Sequence, residues 1–121
     1  MREITTHKVN GCNEEVSVYA SDAPGSGGAH HRYKIGFPRY SGFEPIFIDF
    51  QNGPVKEVGT NGVTHEALLA IVIDRLQAFQ KGPFACRENA LALTKLEEAM
   101  HWLKHRTEQR LARGVEGTHT V

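Results

Sequence analysis

The feature that most constrains this chain is a heptad stripe in its C-terminal half. Cys86, Leu93, Met100 and Thr107 recur every seven residues, and Asn89, Leu96, Leu103 and Arg110 follow three residues after each. That spacing returns to one side of an α-helix every two turns, so the pattern predicts one long helix from near Phe84 to Arg113, ended by Gly114, with a seam suited to lengthwise packing. A partner helix precedes it. Thr64 is placed to cap its start, Val63 and Leu68 form a hydrophobic staple across the cap, and Leu68, Ile71, Val72, Leu76 and Phe79 recur on one face. Lys81-Gly82-Pro83 then supplies a cation, a left-handed cap residue and a breaker, so this helix spans approximately residues 65 to 81.

The two helices are unequal. At ~1.5 Å per residue the first reaches roughly 25 Å and the second roughly 45 Å, which leaves about 20 Å of the longer one uncovered in an antiparallel hairpin. Met100, Trp102, Leu103 and Leu111 fall on that overhang. Short strands make a thin cover, and a second copy of the chain is the simpler one, so the pattern predicts an obligate oligomer.

The residues before the hairpin change period. Glu15 to Ala20 alternates every second residue, while Tyr33 to Phe37 and Ile46 to Phe50 carry the β-branched and aromatic side chains that strands favour. Asn52-Gly53-Pro54 suits a hairpin turn leading into Val55 to Val58. The expected fold class is therefore α+β: a small N-terminal antiparallel sheet of about four strands over residues 1–60, then a helical hairpin and tail over 61–121, all in one structural unit. Ser21 to His31 interrupts the strands with a glycine-rich loop expected to be exposed and adaptable. Gly114 to Val121 has no periodicity and would be ordered only if something holds it.

Composition narrows the function. Fourteen basic and fourteen acidic residues cancel in a chain of 121, and neither half departs from neutrality by more than one charge. Without a basic block, duplex nucleic acid is a poor partner. Cys12 and Cys86 have no metal-type spacing and, with no basic-then-apolar leader pattern at the start, are expected to be reduced thiols in a cytosol. The longest apolar run, Ala67 to Ile73, is too short to cross a bilayer.

Several side-chain groups invite chemistry. His101 and His105 lie four apart on one helical face, but no HExxH surrounds them, and their place near a helix C-terminus favours a dipole-complementing role over a metal site. Asp22, Ser26, His30 and His31 hold the residue types of a hydrolase without a nucleophile-elbow signature. The loop from Pro24 to Ala29 resembles a phosphate cradle in composition only. Asn89 sits on an otherwise apolar stripe, where a carboxamide either fixes the register of an oligomer or reads a base-like edge with one acceptor and two donors. Phe79 is suited equally to the core and to stacking on a base. Arg106 lies seventeen residues beyond Asn89, or ~25 Å along a helix, so one protomer cannot easily bring both to one small ligand, whereas two antiparallel copies can.

Three segments together resemble a known family. Glu66 to Gln77, Gly82 to Ala99 and Arg113 to His119 look like the phage anti-Thoeris sponges, and the helical hairpin is shared with anti-CBASS sponges; Gly27 to His30 extends a looser likeness into the strand half. The resemblance implies a non-enzymatic inhibitor without cofactors or metal, acting in the cytoplasm of an infected bacterial host. Its ligand would be the cyclic ADP-ribose isomer made by a TIR-domain defence enzyme, held between protomers of a dimer or hexamer, with cyclic oligonucleotides as possible second ligands. It further implies that Phe79 stacks on the adenine, Asn89 reads its edge, Arg106 and Arg32 contact phosphate, and Gly28, Ala29 and His30 contribute backbone to the pocket. A sponge for cyclic di- or trinucleotides and an oligomeric regulator that binds no ligand are the alternatives.

Overall fold

A computed structural model describes residues 1–40 and 42–121. The chain divides into two compact units, Met1–Val63 and Thr64–Val121. The first is built on β1 (Arg2–Ile4), β2 (Ser17–Ala20), β3 (Arg32–Gly36) and β4 (Ile46–Asp49), joined in sequence order as an antiparallel sheet. The class is α+β, as the two periodicities require.

Register gives the sheet two different faces. Glu3, Tyr19, Lys34 and Phe47 are successive cross-strand partners and share one face. Arg2, Ala20, Tyr33 and Ile48 form the next row and point the other way, together with Val18 and Ile35. The second face is the apolar one. Ala20, at 0% exposure, is its deepest residue, and Tyr33 meets Phe50 edge-on at 5.7 Å between centroids.

The fourth strand is not where composition put it. Val55–Val58 is a single helical turn, α2, and the short β1 takes the fourth place; a second turn, α1 (Gly11–Glu14), is capped by Asn10, whose Oδ1 accepts from Asn13 N–H at 3.0 Å. The reason lies at the β4 edge. Val63 N–H donates to Asp49 O at 2.8 Å and Gln51 N–H donates to Val63 O at 2.9 Å, so the end of β4 bonds to Val63 and not to Val55–Val58. Gly53, at φ 92°, reverses the chain, and Glu57 and Val58 N–H then donate to Pro54 O at 3.0 and 2.9 Å. Amide side chains close the loop: Asn61 bonds both backbone groups of Asn52, each at 2.8 Å, and Gln51 Nε2 donates to Gly59 O at 2.8 Å. Gly62 makes the closure possible, since a Cβ there would lie 2.4 Å from the Phe50 carbonyl carbon.

The second unit is a hairpin of α3 (His65–Gln80) and α4 (Arg87–Ala112). Thr64 Oγ1 accepts from Ala67 N–H at 3.1 Å and Cys86 Sγ accepts from Asn89 N–H at 3.4 Å, so each helix starts at a side-chain cap. The α4 stripe is half-buried as its spacing requires, from Asn89, Leu93 and Leu96 to Met100, Leu103 and Thr107. On α3, Leu68, Leu76 and Phe79 are half-buried as expected and Leu69 and Ile73 join them, whereas Ile71 is 65% exposed and Val72 44%. The run from Leu68 to Ile73 contains more apolar side chains than one helix face can take.

Helices of 16 and 26 residues are ~24 and ~39 Å long, so the inequality persists. The tail beyond α4 is held by Arg110, which is 8% exposed. Its Nε donates to Glu116 Oε2 at 3.2 Å, Nη1 to Thr120 O at 2.6 Å, and Nη2 to Val115 O and Thr118 O at 2.9 and 3.1 Å. Gly114, at φ 73°, starts the return, with Val115 N–H donating to Arg110 O at 3.0 Å and Gly114 N–H to Leu111 O at 3.1 Å.

Candidate functional site

The sequence-derived candidates fall on both units. In the first, Gly28, Ala29 and His30 close the glycine-rich loop and Arg32 opens β3. Gly25 N–H donates to Ala29 O at 2.8 Å and Gly28 N–H to Gly25 O at 2.9 Å, around a single 3-10 turn at Ser26–Gly28. Gly27 and Gly28 take φ values of 73° and 81°, a conformation that side chains with a Cβ rarely adopt.

Asp22 pins the base of this exposed loop. His31 N–H donates to its two carboxylate oxygens at 3.0 and 3.3 Å, and this bond is the main reason its carboxyl is held below the ordinary value of 3.8. His30 Nδ1 lies 2.6 Å from the Asp22 carbonyl oxygen. A carbonyl only accepts, so Nδ1 carries the hydrogen and Nε2 is the acceptor of the neutral ring. His31 Nε2 faces the Ser26 carbonyl at 2.8 Å, so this contact joins imidazole to backbone and activates no hydroxyl. Arg32 is engaged too, its Nε 3.3 Å from Asp49 Oδ1 and its guanidinium carbon 4.2 Å from the Phe47 ring centroid.

In the second unit Phe79 and Asn89 belong to the turn end of the hairpin. Phe79 occupies the last turn of α3, 6.4 Å from Phe84 between centroids, with the Arg75 guanidinium 5.0 Å from its ring centre. Asn89 stands in the first turn of α4, half-buried, and its carboxamide has no hydrogen-bond partner among the described residues. Gln80 fixes the distance between them. Its Oε1 accepts from Cys86 N–H at 3.1 Å and its Nε2 donates to Cys86 O at 3.0 Å, a two-bond clasp across the turn. Sequence reasoning missed Gln80; the available signal was a carboxamide directly before the Lys81-Gly82-Pro83 stop. Arg106 is exposed and lies ~25 Å along α4 from Asn89, so the hairpin does not bring those two together.

Two further features lie apart from these residues. An open groove of about 550 Å³ runs between α3 and α4, with Ile73 and Met100 at its floor and Asp74, Glu97, His101 and Lys104 among its walls. None of the ligand candidates lines it. His101 and His105 stack at 6.3 Å beside the exposed Trp102, and among the described residues no group of three or more metal-ligating side chains is assembled.

Comparison with known proteins identifies a family for the hairpin. Residues 44–108 match the family model described as Acb2/Tad1, hairpin domain. Thoeris anti-defense 1 of Bacillus phage SBSphiJ7 is 62% identical over 72 residues, which are 60% of this chain and 51% of that protein. The match thus spans about half the length of that curated relative.

Proposed function

The chain belongs to the Acb2/Tad1 hairpin family, and from that premise we propose that it is a phage inhibitor of bacterial Thoeris immunity that sequesters a TIR-derived cyclic ADP-ribose isomer. It acts by affinity in the cytoplasm of the infected host and leaves the ligand chemically intact. The observation that carries this reading is the unpaired, half-buried carboxamide of Asn89 at the hairpin turn, with the Phe79 ring at the end of the other helix. A carboxamide offers one acceptor and two donors, which match a base edge that presents one donor and one acceptor. An aromatic ring at the same turn supplies a stacking face.

The phosphate side needs a second copy. Arg106 is too far along α4 to reach a compact ligand bound at the turn of its own hairpin, whereas an antiparallel partner brings its own Arg106 toward that turn. Among the described residues sixteen large apolar side chains are substantially exposed, with Ile71, Phe84, Leu91, Trp102 and Leu111 of the hairpin among them, and association gives them cover. The pocket is thus proposed to lie between protomers of a homo-oligomer.

Isothermal titration with cyclic ADP-ribose isomers tests the reading. At least one isomer binds tightly, is recovered unaltered after heat release, and binds roughly tenfold or more weakly to Phe79→Leu and to Asn89→Ala. Absence of heat with every isomer, or recovery of a cleaved product, contradicts it. A cyclic trinucleotide that binds without competing would mark a separate second site.

A further inference from the structure

Besides its seam, α3 carries a row of side chains that leads to the proposed stacking ring. Ile71, Arg75 and Phe79 follow one another at intervals of four, with Val72 three residues before Arg75, so all four share one side of the helix. Ile71 and Val72 are exposed, Arg75 is exposed, and Phe79 is half-buried. The Arg75 guanidinium carbon lies 5.0 Å from the centre of the Phe79 ring. Phe84 meets the same ring at 58°, tilted rather than stacked.

Arg75 has a ring beside it and no counter-charge. The residues three and four positions away on the helix are Ile71, Val72, Ala78 and Phe79, none of them a carboxylate, so no ion pair can form along this face. Among the described residues Arg75 makes no ion pair or hydrogen bond. Arg110 of the same hairpin is the contrast, its donors taken by Glu116 and the tail carbonyls. A cation–π contact restrains a guanidinium without using its N–H groups. An arriving phosphate therefore displaces no resident carboxylate, and two of its oxygens match the guanidinium fork. We infer that Arg75 is a phosphate-contacting residue supplied by the same protomer as Phe79 and Asn89. Each hairpin then carries a stacking ring and one phosphate-binding cation, and the other copy adds Arg106. This rests on the sponge reading above and sharpens its ligand class: a phosphate must lie within one arginine side chain of the stacked base, as it does in a compact cyclic ADP-ribose.

The experiment titrates the full-length wild type, Arg75→Met, Arg75→Lys, Phe79→Leu and the Arg75→Met, Phe79→Leu double variant with the cyclic ADP-ribose isomers, at low and at high salt, with sedimentation of each. Methionine keeps an apolar stem and removes the charge, so a purely packing role survives it. The expected result for Arg75→Met is a loss of about tenfold with a weaker salt dependence and an unchanged particle mass. Arg75→Lys keeps the salt dependence and recovers part of the affinity, since it restores the charge without the fork. The methionine loss persists in the Phe79→Leu background, because the phosphate contact does not pass through the ring. Three results overturn the assignment of Arg75 while the sponge reading stands: equal binding by wild type and Arg75→Met; a loss with unchanged salt dependence that vanishes in the Phe79→Leu background, which marks a brace for the ring; and a loss that accompanies dissociation into smaller particles, which marks a contact between copies. If the wild type binds no isomer, both readings fall.

Discussion

The two units of this protein are held together in opposite ways. The hairpin relies on repetition: a seam of half-buried leucines, isoleucine and methionine is spread along two helices, and no single side chain decides the outcome. The sheet unit relies on a few closures. Its deepest apolar residue is an alanine, and its loops are tied by Asp22, Gln51, Asn61 and a glycine that lets two backbones touch. Distributed packing tolerates substitution in small increments, whereas a closure fails all at once.

Gly62→Ala breaks the contrast most directly. The added methyl collides with the backbone of Asp49 and Phe50, which has nowhere to move without losing the β4 edge pairing. The expected cost is about 3 kcal/mol or more. Hydrogen exchange checks it: protection collapses in residues 2–63 while α3 and α4 amides keep theirs.

Arg110 is the exception within the hairpin, a closure at the end of a repetitive element. Arg110→Ala leaves several tail carbonyls and Glu116 without their donor and is expected to cost about 2–3 kcal/mol. Arg110→Lys rescues little, because an ammonium cannot reproduce a planar fork directed at several carbonyls. Thermal unfolding, with limited proteolysis of residues 114–121, separates the two variants from wild type.

Smaller effects sharpen the comparison. Gln80→Ala removes both bonds of the clasp to Cys86 and is expected to cost ~1 kcal/mol in denaturant unfolding, while weakening ligand binding through looser placement of Phe79 and Asn89. The smallest effect is one of pH. The Asp22 carboxyl is held below 3.8 in the folded loop, so its contribution is fully present above that value and is lost as pH falls through the lowered one. Amide exchange at His31 should therefore accelerate under strongly acidic conditions, and Asp22→Asn should remove most of that dependence.

What could be read from the sequence follows the same division. The heptad stripe predicted α4 to within three residues at its start and one at its end, and Thr64 was identified as the cap it proves to be. Local patterns failed where non-local geometry decides. Val55-Lys56-Glu57-Val58 follows a turn signal, but its valines are three residues apart and it is Val63 that bonds to the β4 end. β1 and α1, at three and four residues, are too short to show a period. Arg110 lies on the stripe, and its role depends on carbonyls five to ten residues further on. Of the proposed site, the types and spacing of Phe79 and Asn89 could be read from the sequence, whereas the clasp between their helices and the pairing of Arg32 with Asp49 needed the fold.

The proposed ligand site draws Asn89 from one copy and Arg106 from another. Co-expression of Asn89→Ala chains with Arg106→Ala chains tests it. Each variant alone has only damaged sites, but a mixed pair has one site in which both residues are intact, so random pairing should restore tight binding of the cyclic ADP-ribose isomer at about a quarter of all sites. A mixture that binds no better than either variant alone would mean that Asn89 and Arg106 of different copies do not share a site.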